Sequence, residues 1–371
     1  MSPESAPPPA ELPRTTGVFI GPFGLRAGWR MTLFLLLFAA LSVAAYLPLV
    51  PLQPLLGPDS RRLANTFLAV VAVLAATAIM ARVDRRAFAS YGLGTVHRWR
   101  NLFTGMAAGF VALSGLMGLL AAAGAYRFDA GDIQGAAVWP WAGYWTVFFL
   151  CVGLMEELTT RGYALFALSQ GMGFWPSAVL LSVLFGLGHL GNSGEHLMGI
   201  ANAAMAGLAF AFGVWWTGTL WWAIGAHMMW DWAESFFYGV ADSGIRTPHH
   251  FLTGSPDGAA WLSGGTAGPE GSALCGVALA LLAASVCITA PRYRAPELER
   301  RRRPRPEPPV PEAEQPAAVH PEAPAESLHS GLPGAEPPKA VDPGSPRPEA
   351  LEPAGPEPPN PESPRADPYV G

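Results

Sequence analysis

Charge is what this sequence has least of. Only 14% of its 371 residues are charged, against about 25% in an average soluble domain. The charges also gather at the two ends and in a few short loops, so a water-soluble globular fold is excluded over most of the chain. Cysteine is scarce too. Cys151, Cys275 and Cys287 each lie in an apolar stretch, and their spacing matches no zinc or redox motif. They read as small buried apolar side chains, with no disulfide framework. No basic domain and no base-reading motif is present, which excludes nucleic acid as a partner. The start of the chain lacks the basic residues and short apolar run of a signal peptide, because residues 2–13 are proline-rich and acidic.

What the chain does have is long charge-free apolar runs. A helix needs about 20 apolar residues to cross a hydrocarbon core of about 30 Å. Windows of that kind fall at residues 31–58, 63–81, 101–126, 133–155 and 271–291. Residues 162–194 hold no Asp, Glu, Lys or Arg, and that is too long for one span. Gly171, Gly173 and Pro176 break it, since glycine frees the backbone and proline suits a helix start. Residues 196–230 are broken in turn at Thr217 and Gly218. The fold expected is all-α, a polytopic transmembrane bundle of about eight spans over residues 29–290. A cytoplasmic segment, 1–28, precedes it.

Residues 291–371 contain 23 of the 38 prolines and are rich in Glu and Ala. Such a segment buries too little apolar surface to offset its ordering entropy, so a disordered tail is expected. Its basic run, arginines 300–303, would face anionic lipid. A partner that binds its extended proline segments is left open. Arginines set the orientation. With the N-terminus inside, the cytoplasmic side holds Arg14, Arg26, Arg30, Arg82, Arg85, Arg86, Arg98, Arg100 and the segment 292–305. The other side holds only Arg61, Arg62, Arg127 and Arg246. Both termini are therefore expected in the cytoplasm, in the inner membrane of a cell that the Ala/Gly/Pro/Arg-rich composition suggests is bacterial.

Ionisable groups inside a membrane cost roughly 2.5–3.5 kcal/mol each on insertion scales, and survive when paired or functional. Here they are Glu156, Glu157, Arg161, His189, His227, Asp231 and Glu234. Glu157 and Arg161 are four apart and share a helix face, so they pair. Glu156 is turned about 100° away and is left for other work. His189 lies 13 residues past Pro176, and Glu156 15 residues before Gly171, which puts both about 20 Å deep in a helical hairpin. His227 and Asp231 are four apart and meet them at a similar depth. Glu234 reads as a helix-end charge and His196 as interfacial. Asn202 is placed to bond into the site. Gly186 and Gly188, and the pair Gly105 and Gly109, read as close helix packing.

Glu156-Glu157 with Arg161, Phe185 with His189, and His227 with Asp231 reproduce, in order, the motifs EExxxR, FxxxH and HxxxN or HxxxD. The chain thereby resembles the CPBP family of intramembrane proteases over about residues 140–235. That family includes type II CAAX prenyl endopeptidases and bacteriocin-processing or self-immunity proteins. The resemblance implies an endopeptidase acting on a membrane-bound or membrane-adjacent polypeptide, with a site expected to open toward the cytoplasm. It assigns Glu156 and His189 as the pair that activates water, and turns His227 and Asp231 toward the oxyanion. Glu157 and Arg161 become structural support. Asp231 departs from members that carry Asn there. An ionised carboxylate cannot donate to an oxyanion, so Asp231 is either protonated or orients His227. A divalent metal such as zinc, held by Glu156, His189, His227 and Asp231, is the other reading, although the spacing is not HExxH. The rivals from other classes are a transporter with an intramembrane proton relay and an inactive immunity scaffold. No second copy of any motif suggests an inverted repeat.

Overall fold

The structure, a computed structural model, describes residues 17–21 and 24–293. Much of the N-terminal segment, and the expected tail with its basic run at 300–303, lie outside the described residues. The helices are α1 Ala27–Tyr46, α2 Pro58–Asp84, α3 Arg98–Ala122, α4 Val138–Glu157, α5 Ala164–Met172, α6 Phe174–Gly188, α7 Leu197–Thr217, α8 Trp221–Trp232, α9 Ala260–Ser263 and α10 Cys275–Thr289. Two small antiparallel pairs accompany them, β1 Ile20–Gly21 with β2 Gly24–Leu25, and β3 Tyr126–Ala130 with β4 Leu252–Pro256. The protein is an all-α polytopic membrane protein. Among the described residues, six helical stretches have the length and hydropathy to cross a bilayer: Ala27–Leu55, Pro58–Asp84, Arg98–Ala122, Gly135–Met172, Phe174–Gly191 and Leu197–Thr217. The other two apolar segments read from the sequence are the shorter helices α8 and α10.

The breaks fall where glycine allows them. Gly173 has φ +88° between α5 and α6, and Gly218 has φ +68° between α7 and α8. L-residues with a side chain avoid that region, so the chain turns there at little cost. The 31–58 run does not stay α-helical. Pro48, Pro51 and Pro54 remove every third N–H, and residues Leu47–Leu55 tighten into a 3-10 helix.

Lipid is as apolar as leucine, so helices in a membrane associate through close packing rather than water exclusion. The α3–α8 contact shows this. A Cβ on Gly105 would meet the Trp222 carbonyl, and one on Gly109 the Ala226 carbonyl. Gly225 on α8 lies against the Leu102 carbonyl in the same way. We expect Gly109→Val to destabilise the bundle by about 1–3 kcal/mol through overpacking. A lower unfolding midpoint in detergent is the readout, and an unchanged midpoint would contradict the contact. Gly186 likewise abuts the Ile200 carbonyl of α7, whereas Gly188 has open space around it.

A buried polar knot ties α1, α2 and α5 together. Arg30 pairs with Asp84, whose Oδ2 also accepts from Tyr91 Oη at 2.8 Å and Tyr163 Oη at 2.9 Å. Arg30 Nη1 donates to Gln170 Oε1 at 2.8 Å. Arg30 was expected among loop charges. It lies instead inside α1, 2% exposed, because its partners come from helices far away in sequence.

Helix direction alternates, so the connections fall on two faces. One face is tied by Leu220 N–H donating to Gly92 O and Tyr293 N–H donating to Trp216 O. The other is tied by the β3–β4 pair, by Tyr144 Oη donating to Asp59 O, and by Asn192 Nδ2 donating to Ser243 O. On this second face Asp132 accepts the backbone N–H groups of His249 and His250 at 2.8 and 2.7 Å. Partial burial raises the Asp132 carboxyl, but these donors and the neighbouring imidazoles outweigh it and hold it below its usual range.

Candidate functional site

α4 delivers Glu156 and Glu157 in its last turn. Adjacent helix positions point about 100° apart, so the two carboxylates meet different surroundings. The Glu157 side chain is 0% exposed, whereas that of Glu156 is 25% exposed and lines a cavity of about 630 Å³. Directly after them the helix widens into a π-helical turn, Leu158–Tyr163, kinked at Gly162. Two threonines favour the bend. Thr159 Oγ1 donates to Met155 O and Thr160 Oγ1 to Glu156 O, each at 2.6 Å, which draws side chains into the helix's own ladder. Arg161, on this turn, donates from Nη1 to Glu157 Oε1 at 2.8 Å. Its guanidinium packs over the Phe185 ring at 4.3 Å, so the first two motifs are in contact. α7 makes room for it with Gly207, where a Cβ would meet Arg161 Nη2.

α8 places His227 opposite. Its Nδ1 lies 3.0 Å from Glu157 Oε1. A carboxylate oxygen held by Arg161 accepts, so Nδ1 carries the proton in this contact. Nε2 then faces the cavity, 3.6 Å from Glu156 Oε2 and 3.6 Å from Asp231 Oδ2. The ring stacks on Phe210 with centroids 4.9 Å apart. His189 enters from α6. Its Nδ1 lies 2.8 Å from the Phe185 carbonyl, which can only accept, so its Nε2 is the nitrogen left for other partners.

Glu156, His189, His227 and Asp231 all line the one cavity, while Glu157 and Arg161 stand behind it. Glu157 does more than was read from its i,i+4 pair, because it also joins the first motif to the third. His189 sits differently from expectation. α6 ends at Gly188, and residues His189–Gly191 form a 3-10 turn, so His189 caps the helix rather than lying within a longer one. Asn202 donates to the carbonyls of Glu270 and Ser272 and so supports a loop, not the site's side chains. His196 bonds Gly264 O at the start of α7. Cys151 and Cys275 are buried as expected, but Cys287 is exposed on α10.

Sequence reasoning missed Asp242, Ser243 and Glu270, which also line the cavity. It also took Glu234 for a helix-end charge, whereas Glu234 is 0% exposed. The one available signal was that Asp231 and Glu234 are three apart and share a face of α8 and its continuation. Their partners come from connections with no periodicity to read. The cavity's loop residues, Asn192, Asp242, Ser243, Ile245, Thr247 and Glu270, belong to the second face, and none belongs to the connections of the first. The first face carries Arg82, Arg85, Arg86, Arg98, Arg100 and Arg292. The loops that frame the cavity thus lie on the face opposite the arginine-rich connections.

Histidine and carboxylate atoms around His227 Nε2 are of a type that binds divalent metals. Among the described residues, the trio whose ligand atoms all lie within 4.8 Å of one another is a different one, Glu234, Asp242 and Glu270.

Two histidines and several carboxylates thus meet at one apolar cavity. Residues 138–233 match the family model of type II CAAX prenyl endopeptidase Rce1-like proteins. Over this segment the chain is similar to that family. The Rce1-like segment opens at the first residue of α4 and closes just after α8, so it contains all three motifs and both helices that meet at His227. Comparisons with curated proteins and with solved structures gave no match. The Rce1-like match supports, at the level of the family, an intramembrane peptidase.

Proposed function

We propose that the protein hydrolyses a peptide bond in a membrane-bound or membrane-adjacent polypeptide, with Glu156 as general base. The supporting observation is the sorting of the paired glutamates. Glu157 is enclosed by Arg161 and His227, while Glu156 is open to the cavity beside a histidine nitrogen. A base must reach the water it activates, and Glu156 and His189 share the cavity where that water would sit.

In this reading, water held by Glu156 and His189 Nε2 attacks the scissile carbonyl carbon, and its proton passes to Glu156. The new carbon–oxygen bond leaves a tetrahedral oxyanion. His227, protonated on both nitrogens, gives Nδ1–H to Glu157 and Nε2–H to the oxyanion. The carbon–nitrogen bond then breaks, and the proton on Glu156 moves to the departing amine. Asp231, on the Nε2 side of His227, keeps that imidazolium in place. The step is complete without a metal.

The arginine distribution supports cytoplasmic termini in the inner membrane. With that orientation the cavity faces the opposite side, so the substrate segment enters from there. The test is cleavage of a panel of membrane-tethered peptides by detergent-purified full-length protein, beside solute flux in proteoliposomes. Defined fragments without flux are expected. Flux without cleavage would replace the peptidase reading with the transporter.

A further inference from the structure

Glu234, Asp242 and Glu270 make up a second polar centre, at the end of the cavity toward the second face. We propose that they bind one hard divalent cation, of the Ca2+, Mg2+ or Mn2+ type. Three observations carry this. First, the three residues each offer an oxygen within 4.8 Å of the others. Oxygens on opposite sides of an ion bound at about 2.3–2.6 Å are separated by roughly 5 Å, so one ion reaches all three.

Second, Glu234 is 0% exposed and its two carboxylate oxygens have at most a share of one donor, the Trp230 indole N–H. That indole N–H also donates to Glu270 Oε1 at 3.0 Å. A buried carboxylate short of donors is costly, and coordination is what would satisfy both oxygens. Third, carboxylates outnumber cations locally, with His227 the cationic group that acts on Asp242. Among the described residues no arginine, lysine or histidine forms an ion pair with any of the trio, and Asp231 carries a further carboxylate nearby on α8. The all-oxygen donor set selects a hard cation over zinc or copper.

The ligands come from three places: the π-helical turn Ala233–Phe237 that extends α8, the loop after it, and the turn Pro269–Gly271 before α10. Glu270 is already set for the role, since Ser243 N–H and Oγ donate to its Oε2 and Asn202 Nδ2 holds its backbone carbonyl. The bound cation therefore clamps the end of α8, just beyond Asp231, to the loops that frame the cavity. Asp242 and Glu270 line the cavity, which supplies the entry path. The clamp does not depend on the peptidase reading, and its test involves no cleavage.

The experiment uses full-length protein in detergent, stripped with chelator and then titrated separately with Ca2+, Mg2+ and Mn2+. The unfolding midpoint is followed, and bound Mn2+ is counted by electron paramagnetic resonance. With at least one of these ions we expect a saturable rise of roughly 5 °C or more at a hundredfold excess over Kd, and one tightly bound ion per chain. Asp242→Asn should weaken that response at least tenfold. Glu234→Gln should do the same, and serves if Asp242→Asn folds poorly. A wild-type midpoint indifferent to all three ions would overturn the proposal. An undiminished response in both variants would overturn it too, placing the binding elsewhere in the chain. A Glu234→Gln protein that is more stable than stripped wild type, in a background without any ion response, would show that the trio shares protons instead.

Discussion

Glu156→Gln should lower peptide cleavage by about 10²–10⁴-fold while leaving the folded bundle intact. The factor is that of a positioned general base. Glutamine keeps the shape of the side chain and its hydrogen-bonding reach but cannot take a proton from water. Stability should hold, because Glu156 is the less buried of the two glutamates and has no arginine partner to abandon. Its nearest charged neighbour is His227 Nε2 at 3.6 Å, which keeps Asp231 and Glu157 as partners. The measurement is the initial cleavage rate of wild type and variant at matched folded concentration, with the unfolding midpoint beside it. Undiminished cleavage with a normal midpoint would remove Glu156 from the mechanism. A collapsed midpoint would show that Glu156 holds the fold instead.

Arg161→Ala should act the opposite way, through the fold. It strips Glu157 of its arginine partner in a fully buried place, leaving His227 Nδ1 alone against it, and empties the space over the Phe185 ring. Breaking one partner of a buried ion pair costs about 3–5 kcal/mol, a large share of the stability of an ordinary domain. Folded yield from detergent should fall severely, and cleavage with it. Removing both charges together is the control. Replacement of a buried pair by apolar residues of similar volume is often neutral, so Glu157→Leu with Arg161→Leu should recover much of the yield. Activity should stay low in that double variant, because His227 Nδ1 loses the acceptor that fixes its ring. Normal yield of Arg161→Ala would argue that the pair contributes little to the fold.

The two outcomes separate neighbours in sequence. Glu156 and Glu157 differ by one position, yet one is expected to matter for rate and the other for structure. That division was legible beforehand, because helix geometry turns consecutive side chains to different faces. The sharing of Glu157 between Arg161 and His227 was not. The partners are four and seventy residues away, and only the α4–α8 packing brings the distant one in.

The sequence by itself determined that the protein spans a membrane as helices, that the chain turns at Gly173 and Gly218, and that Glu156, Glu157, His189, His227 and Asp231 are candidates for chemistry. Apolar length, glycine and proline positions and i,i+4 spacing are local properties, and local physics reads them. Tertiary structure alone decided the rest. It put Arg30 inside a helix bundle with Asp84, ended α6 before His189, and framed the cavity with loops of the face poor in arginine. It also gathered Glu234, Asp242 and Glu270 from a helix end and two loops. None of these follows from periodicity, because each depends on the angle and depth at which helices meet. In a bilayer those are set by small residues such as Gly105, Gly109 and Gly207, which admit a neighbouring backbone or guanidinium where a larger side chain would hold it off.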